Sequence, residues 1–434
     1  MKIISIILGC AMLLALGCDK DESKVVDAGP DGGGEGLAFP LVVAVLSDTH
    51  LYAETLGMSD QAAQGLQAET RLVAASEAIL EATVENLAVS DVDLVLISGD
   101  LTSNGAAESH QIVAQLLEGL EATGIGVYVV PGNHDVNNQY AVSYETFQDA
   151  VPDITPEEFS EIYSDLGPSE AVSTDPNSLS YSVEPLPGVR FLMLDSCLYT
   201  TGYHLNGAFS DDTVAWATDQ AVEALSEGSF PVAVMHHGLV EHVDSQDTYF
   251  AGFLVDNHDA VAQELAGSGI PLVFTGHYHT MDVSMLEADG ATIYDAETAC
   301  LSIWPFPYRI VTFHEDGKVE MTTATTNEFD FDTGGQDLDT WAQGQLDIAF
   351  ETYLTDMAQT FGLSAAQTAF AMPAMKDAWK AHMLGDEEYT TEAQQAVSEI
   401  TSQGGVMILV GGLITKLYND ADPADKELTI DLAN

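Results

Sequence analysis

The sequence predicts an α/β protein that continues into a mostly helical C-terminal region. From Leu41 onward, near-continuous apolar runs alternate with segments whose apolar residues recur at helical spacing. This alternation is typical of strands joined by crossover helices. After about Thr326 the apolar segments have a helical pattern. At 434 residues, 46% of them hydrophobic, the chain can form a large domain and an accessory one.

The first three strands are predicted at LVVAVLSD, VDLVLISGD and IGVYVVPGNHD. Each is almost wholly apolar until its last residues, as expected for a strand covered on both faces. Between them lie two amphipathic helices, ETRLVAASEAILEATVENLA and AESHQIVAQLLEGLEATG. These units predict parallel strands with right-handed connections.

A less regular insertion follows from about Tyr140 to Ser180, after which strands are predicted at VRFLMLDS, FPVAVMHHG, IPLVFTGHYH and ATIYDAET. Their short connections indicate a second sheet with antiparallel pairs. NEFDFDTGG is interpreted as a linker, VMILVGGLITKLY as a buried helix and LTIDL as a closing strand. We therefore predict a catalytic domain over 38–325 and a helical accessory domain over 326–434.

The amino terminus is predicted to direct export. Residues 1–17 contain a short apolar run after Lys2 and end in a lipobox-like ALGC, which predicts lipidation of Cys18. An ordinary secretory signal is the alternative. Residues 18–37 are acidic and Gly-rich, as in a flexible tether. We thus expect an exported lipoprotein held at a membrane in the periplasm or on the cell surface.

The charge is strongly acidic, with 69 Asp and Glu against 11 Lys and Arg, a net charge of −58. This balance argues against nucleic acid as a partner, because phosphate backbones are bound by basic side chains. A heavily solvated acidic surface is the first interpretation, and a specific basic or metal-binding partner is the alternative. The sequence does not predict an oligomeric state.

Two cysteines, Cys197 and Cys300, remain after the predicted signal peptide. In an exported protein they could form a disulfide or stay as two buried thiols, and their spacing does not decide between these. Their number and spacing do not match a metal-binding pattern.

Polar donors follow five of the predicted strands at the point where each apolar run ends. In open α/β sheets the ligand crevice lies beyond the carboxyl ends of the strands, so these donors are expected at one rim. A mixed set of carboxylate, carboxamide and imidazole groups suits Mn, Fe or Zn. The sequence therefore predicts a metal site. Its candidate residues are Asp48, His50, Asp100, Asn133, His134, His236, His277 and His279.

The motifs SDTHL, GDLTSNG, PGNHD, MHHG and GHYH resemble the calcineurin-like metallophosphoesterase superfamily over roughly Phe39 to Thr325, and are most similar to its class III cyclic nucleotide phosphodiesterases. The resemblance implies a four-layer αββα sandwich of two mixed sheets and a dinuclear metal centre. It implies one metal held by Asp48, His50, Asp100 and His279. It implies a second metal held by Asp100, Asn133, His236 and His277. His237 is at most an outer-shell residue.

The resemblance also implies a mechanism. Two metal ions would share a hydroxide that attacks phosphorus, His134 would protonate the leaving group, and Asp135 would orient His134. We expect a phosphodiesterase that hydrolyses small diesters such as cyclic nucleotides. The alternatives are a phosphomonoesterase, a lipid-headgroup phosphodiesterase and, least favoured because no ligand is missing, a non-catalytic scaffold.

Overall fold

The computed structural model describes residues 37–146, 149–200, 202–385, 387–419 and 423–432. The predicted signal peptide, Cys18 and all but the last residue of the predicted tether lie outside these ranges, so those expectations stay predictions. From Leu37 onward the chain forms one compact unit.

The described residues contain strands of two to eight residues. They are β1 Leu41–Leu46, β2 Leu94–Ile97, β3 Gly126–Val129, β4 Ser173–Thr174, β5 Tyr181–Leu186, β6 Val189–Leu194, β7 Phe230–Met235, β8 Leu272–Thr275, β9 Asp282–Ala288, β10 Ala291–Glu297, β11 Pro307–Phe313, β12 Lys318–Thr325 and β13 Glu427–Asp431.

The α-helices are α1 Asp60–Leu66, α2 Ser76–Ala88, α3 Ala107–Glu121, α4 Pro156–Ile162, α5 Asp211–Glu227, α6 Gln246–Tyr249, α7 His258–Gly267, α8 Leu338–Thr360, α9 Ala365–Leu384, α10 Thr391–Ser402 and α11 Val406–Leu417. Short 3-10 helices occur at Glu54–Leu56, Val73–Ala75, Pro168–Glu170 and Ala251–Phe253.

The strands form two mixed sheets, as predicted. The first has the order β13-β12-β11-β1-β2-β3, in which β1, β2 and β3 are parallel and the other pairs are antiparallel. The second has the order β4-β5-β6-β7-β8-β10-β9, with parallel pairing from β6 to β10 and antiparallel pairs at both edges. The parallel parts of both sheets are those that the buried apolar runs predicted.

The two sheets pack face to face, and helices cover their outer faces. Residues of β1, β2 and β11 share one core with residues of β5 to β8. Phe191 and Phe313 meet across this core edge to face, with ring centroids 5.7 Å apart. Burying each ring contributes roughly 1.5–3 kcal/mol. Helices α2 and α3 cover the first sheet and helices α5 and α7 cover the second, which completes the αββα arrangement.

The C-terminal helices pack on one another and against the loops that follow β7 and β8. Asp337, Ser364 and Thr390 begin α8, α9 and α10, because each side chain accepts a hydrogen bond from a backbone N–H of the first turn. After α11, β13 pairs with β12 and extends the first sheet. The region predicted as a separate domain therefore also completes a catalytic-domain sheet, and the boundary near Thr325 stays a prediction.

The apolar segment VMILVGGLITKLY forms α11, as predicted. Met407, Val410 and Ile414 are buried among the C-terminal helices, whereas Ile408 and Leu409 on the other side are exposed. Within the described ranges, none of the helices has both the length and the apolar character needed to cross a bilayer.

Candidate metal centre

The structure brings all seven predicted ligand residues to one rim, beyond the carboxyl ends of β1, β2, β3, β7 and β8. Most of them are fully buried, with relative exposures between 0 and 5%, while 21% of the His279 side chain is exposed. The donors come from positions as far apart as Asp48 and His279. Their convergence follows from the parallel order of the central strands, since the ends of such strands meet at one edge.

Asp48, His50 and His279 form the first group. Asp48 Oδ1 lies 3.4 Å from His50 Nε2 and 3.2 Å from His279 Nε2. The two imidazole Nε2 atoms are 3.4 Å apart. Asp100 Oδ2 lies 3.6 Å from His50 Nε2 and so reaches this group. The four side chains thus present their donor atoms to a common point.

Asp100, Asn133, His236 and His277 form the second group. Asp100 Oδ2 is 3.4 Å from His236 Nε2, and Asn133 Oδ1 is 3.0 Å from the same nitrogen. Ligand atoms of Asp100, His236 and His277 all lie within 4.8 Å of one another. His277 Nε2 faces the carbonyl of Gly252 at 3.2 Å, which leaves Nδ1 for this group. Asp100 therefore stands between the two groups, as a bridging ligand would.

The backbone at these ligands is strained. Asp48, His50, Asp100, His277 and His279 all have positive φ angles, between 43° and 74°. Residues other than Gly rarely adopt this conformation, and it costs of the order of 1–3 kcal/mol for each residue. Such strain concentrates at functional sites, where the surrounding structure enforces it.

Two glycines allow the strand-end loops to approach closely. A Cβ on Gly132 would lie 2.0 Å from the backbone nitrogen of Asp100. A Cβ on Gly276 would lie 1.8 Å from Ser47 Oγ and 2.6 Å from Asp48 Oδ2. The glycines of PGNHD and GHYH are therefore needed for space around the carboxylates.

In this site, buried carboxylates and buried imidazoles shift each other's pKa values. Burial alone would raise the pKa of Asp100, but His236 and His134 hold it well below its usual value. Asp48 behaves likewise: burial opposes ionisation, and His279 and His50 lower its pKa. His236 is buried, yet Asp100 raises its pKa to about 9. Two ionised carboxylates in a buried pocket create a strong demand for positive charge.

The donor set fits two divalent or trivalent cations. Each group offers oxygen and imidazole nitrogen, which suits Mn, Fe or Zn. The buried Asn133 Nδ2 has no hydrogen-bond partner among the described residues, and Asn133 Oδ1 is turned toward His236. Among the described residues the Asn133 side chain is thus held through its amide oxygen alone. This is consistent with Asn133 as a neutral metal ligand.

His134 lies at the mouth of the site. Its Nδ1 is 2.7 Å from the carbonyl of Ser103, and its Nε2 is 3.9 Å from Asp100 Oδ2. Burial, together with the nearby Arg71 and His50, lowers the pKa of His134 to about 3 against the opposing effect of Asp100. The ring is therefore neutral at pH 7 in the free protein.

Asp135 does not hold the His134 ring directly, which corrects the sequence-based expectation. Its carboxylate accepts hydrogen bonds from the backbone N–H groups of Leu101, Thr102 and Gly132 at 2.8–3.0 Å. The Thr102 hydroxyl donates to it at 2.9 Å. Asp135 thus fixes the 101–103 loop, and the Ser103 carbonyl of that loop meets the imidazole. Asp135 therefore acts on His134 through this loop, since both of its carboxylate oxygens are already engaged by the backbone and by Thr102.

The structure also settles two open points of the sequence analysis. Cys197 and Cys300 are both free thiols. Cys300 lies within reach of His50 and His279, but burial raises the pKa of its thiol, which donates to the carbonyl of Asp48 at 3.1 Å. The His237 ring packs against His277, with centroids 4.5 Å apart, and its nitrogens face other groups: Nδ1 is 2.8 Å from Ser196 Oγ and Nε2 is 3.1 Å from the Leu205 carbonyl.

Sequence reasoning missed Arg71. Its Nη1 is 3.1 Å from His50 Nδ1, and Nη2 forms an ion pair with Glu69 at 2.5 Å. It lines the cavity of about 350 Å³ over the candidate centre, together with Asp100, His134 and His279. Arg71 lies in no motif, so only its position in the fold could reveal it.

The C-terminal helices form part of the same cavity. Tyr353 of α8 and Trp379 and Met383 of α9 line it together with Arg71. Phe250 and Phe253, between β7 and α7, add further aromatic surface. The helical region therefore supplies one wall of the cavity over the metal-ligating residues.

Comparison with known proteins identifies the family. Residues 41–281 match the sequence model of the family described as Calcineurin-like phosphoesterase. The chain belongs to this family. The resemblance drawn from the motifs is thereby confirmed, and the protein is a calcineurin-like metallophosphoesterase.

Several characterised proteins are similar to parts of the chain. A glycerophosphodiester phosphodiesterase, GpdQ, of Enterobacter lignolyticus is 27% identical over 52% of this chain and 66% of its own length. A sphingomyelin phosphodiesterase of Caenorhabditis elegans is 23% identical over 44% of this chain and 32% of its own length. A 3′,5′-cyclic-nucleotide phosphodiesterase of Nostoc is 31% identical over 22% of this chain and 32% of its own length. The chain thus spans less than two thirds of each of these relatives.

A dimetal phosphatase from Danio rerio is similar in structure, with a TM-score of 0.48 and 16% identity. The similarity covers 67% of this chain and 97% of the phosphatase.

Proposed function

We propose that this metallophosphoesterase is a phosphodiesterase that hydrolyses small phosphate diesters, such as cyclic nucleotides, at a dinuclear metal centre. The observation that carries the proposal is the pair of donor groups that share Asp100. Asp100 Oδ2 lies 3.6 Å from His50 Nε2 in one group and 3.4 Å from His236 Nε2 in the other. Ligand atoms of Asp100, His236 and His277 lie within 4.8 Å of one another. Relatives named as phosphodiesterases for three different diesters support the reaction class.

Asp48, His50 and His279 would hold one cation and Asn133, His236 and His277 the other, with Asp100 between them. Two such ions, when bound, supply an activated water nucleophile and offset negative charge on the phosphoryl group. The protein's own part is to keep the donors in place, which the strained strand-end loops and Gly132 and Gly276 achieve.

His134 would serve the leaving group. The Ser103 carbonyl accepts from Nδ1–H, so Nε2 is the ring atom that faces Asp100 and the cavity. An anionic ester beside Nε2 favours the protonated ring, because opposite charges stabilise each other at short range. A proton on Nε2 could then pass to the departing alkoxide.

Arg71 would help to bind the anionic ester. It is one of few basic residues in a protein with 11 Lys and Arg, and it lies in the wall of the cavity beside the candidate ligands. A guanidinium can form paired hydrogen bonds with phosphate oxygens. The cavity of about 350 Å³ is of the size that small ligands occupy.

A lipid-headgroup phosphodiesterase is the second candidate. Phe250, Phe253, Tyr353, Trp379 and Met383 give the cavity an extensive apolar wall. Such a wall could accept part of an acyl chain, and a relative is named as a sphingomyelin phosphodiesterase. Phosphomonoesters remain the third candidate, since the same metal pair accepts either ester.

The proposal is tested by hydrolysis assays with manganese-loaded protein on a panel of esters. Bis(p-nitrophenyl) phosphate and 3′,5′-cyclic AMP should be hydrolysed faster than p-nitrophenyl phosphate. Activity on sphingomyelin vesicles but not on soluble diesters would favour the lipid candidate. An Asp100→Ala variant should lose both the metals of this centre and activity. If the Asp100→Ala variant were as active as the wild type, the proposal would be overturned.

We further propose that the protein is exported and anchored through Cys18. The motif ALGC and the acidic, Gly-rich segment after it support this location. Labelling of the wild type, but not of Cys18→Ser, with radioactive palmitate would support it. Equal labelling of both, or of neither, would contradict it.

A further inference from the structure

A second cluster of buried metal-type ligands lies between the C-terminal helices and the second sheet. Asp282 begins β9, His382 lies in the last turn of α9, and Glu387 follows that helix. All three are buried, and one ligand atom of each lies within 4.8 Å of the others. None of these residues belongs to the centre described above.

The cluster contains buried polar atoms that lack partners. Glu387 Oε1 is 2.7 Å from His382 Nδ1, but Glu387 Oε2 and His382 Nε2 have no hydrogen-bond partner among the described residues. Only 1% of the Glu387 side chain and 3% of the His382 side chain are exposed. Leaving such atoms unpaired in a protein interior costs about 1–3 kcal/mol each. A bound ion would remove this cost for Glu387 Oε2 or His382 Nε2 if that atom became one of its ligands.

The surroundings hold more acid than base. Buried carboxyl groups are contributed by Asp282, Asp295, Glu297, Glu387 and Asp425. The bases beside them are His242, His382 and Arg309. Arg309 donates to the backbone carbonyls of Asp282, Glu297 and Asp425 rather than to carboxylates.

A buried charge is stable only when it is paired. His242 Nδ1 contacts Asp282 Oδ1 at 2.5 Å and already takes up part of this negative charge. A divalent cation held by Asp282 and Glu387 would offset negative charge on these two carboxylates.

We propose that Asp282, His382 and Glu387 bind a divalent transition-metal ion that fastens the C-terminal helices to the second sheet. Two carboxylates and one imidazole form a set that suits Mn²⁺ or Zn²⁺. Three protein ligands leave a coordination position for water, as at catalytic zinc sites. His242 would orient Asp282 from outside, as groups beyond the direct ligands do at other metal sites.

The proposed ion has a consequence for the cavity. The Tyr278 and His382 rings are in contact, with centroids 5.6 Å apart, and Tyr278 lies between His277 and His279 in the chain. Trp379 and Met383, which line the cavity, flank His382 on the same helix. An ion at this place would hold the helical wall beside the candidate metal centre.

The pKa shifts agree with a cation site. Burial raises the pKa of Glu387, and Asp282 adds to this effect against the opposing His382. Burial also holds the pKa of Glu297 well above its usual value. In the absence of metal, protons would neutralise these carboxyl groups more readily. Metal binding would then release protons, so affinity should fall in acid.

The test is the metal content of manganese-loaded protein after removal of unbound ion. Glu387→Gln should bind one ion fewer per chain than the wild type. Glu388→Gln, which changes the exposed neighbouring residue, should bind as many as the wild type. Equal binding by Glu387→Gln and the wild type would overturn the proposal.

The Asp100→Ala background separates this site from the dinuclear centre. Mn²⁺ or Zn²⁺ should raise the Tm of Asp100→Ala but not that of the double variant with Glu387→Gln. No rise in either protein would overturn the proposed site and leave the dinuclear centre untouched. If Glu387→Gln does not fold, manganese-loaded wild-type crystals should show an anomalous peak in contact with all three residues. Absence of that peak would contradict the proposal.

Discussion

His134 is held by one ring nitrogen, and its proposed role belongs to the other. The Ser103 carbonyl fixes Nδ1, and Asp135 fixes the loop that carries Ser103. The chain therefore orients the imidazole through the backbone instead of through a carboxylate beside it. This arrangement leaves Nε2 facing the cavity, 3.9 Å from Asp100 Oδ2.

The extent to which His134→Ala slows hydrolysis should depend on the leaving group. For an alkoxide leaving group we expect a loss in kcat of about 10²–10⁴-fold, the usual contribution of a positioned proton donor. For p-nitrophenolate, which leaves without a proton, the loss should be much smaller. Comparing kcat for cyclic AMP and for bis(p-nitrophenyl) phosphate measures this difference, with metal content as the control. Full activity on cyclic AMP would show that His134 is not the donor.

Arg71→Gln should weaken binding of the ester more than it slows turnover. A hydrogen bond to a charged group contributes about 1.5–3 kcal/mol, so KM should rise about tenfold or more with a smaller change in kcat. Lys318→Gln is the matched control, since it removes one positive charge from a surface pair with Glu320. An equal effect of both substitutions would mean that Arg71 acts only through the net charge.

At the scale of elements, the function depends on how five strands end. The strands are apolar almost to their ends, and the turns after β1, β2 and β8 place their ligands at positive φ. The sharp turns need close contact between neighbouring loops. Gly276 meets Ser47 and Asp48 in this way, and the loops after β1 and β8 thereby hold each other.

Gly276→Ala should disturb the first metal site. The added methyl group would overlap Ser47 Oγ and Asp48 Oδ2, so the loops must separate at a cost of about 1–3 kcal/mol. We expect weaker metal binding and a lower free energy of unfolding. Gly412→Ala is the control, because nothing lies within 4 Å of that added methyl group. Metal titration and urea unfolding measure both effects, and unchanged metal affinity would contradict this account of the turn.

Apolar runs predicted β1, β2, β3, β6, β7, β8 and β10, because strands buried on both faces carry a continuous signal. The same reasoning did not identify β9, β11 and β12, whose burial is interrupted by exposed or half-buried positions. It found the seven candidate ligands because each follows a strand. It missed Arg71 and the wall formed by Trp379 and Met383, since tertiary packing alone brings them to the cavity.

At the scale of the whole molecule, the proposed metal centre would place positive charge inside a protein with a net charge of −58. Bound cations and Arg71 would reverse the local field on the path of an anionic ester. The stability of the molecule also depends on imidazoles that are buried behind the site. His110 is the clearest, since Nδ1 is 2.8 Å from the Tyr163 hydroxyl and Nε2 is 2.9 Å from the Asp135 carbonyl.

The pH dependence of stability should contain a contribution from His110. Burial lowers its pKa from 6.5 to about 4, against the opposing effect of the Asp135 carbonyl. Between these values the unfolded chain binds the proton and the folded chain does not, so stability falls as the pH falls. The loss is at most about 3 kcal/mol.

The free energy of unfolding of His110→Asn should therefore fall less than that of the wild type when the pH is lowered from neutral to about 4. Urea unfolding at several pH values measures the difference. His314→Asn, at a partly exposed position, is the control and should follow the wild type. Parallel curves for His110→Asn and the wild type would contradict the assignment.

The most direct measurement is an anomalous difference map from crystals of the manganese-loaded protein. The account predicts two peaks about 3.5–4 Å apart, on either side of the Asp100 carboxylate. One should contact Asp48, His50 and His279, and the other Asn133, His236 and His277. A single peak, or none, at this rim under saturating manganese would contradict a dinuclear centre.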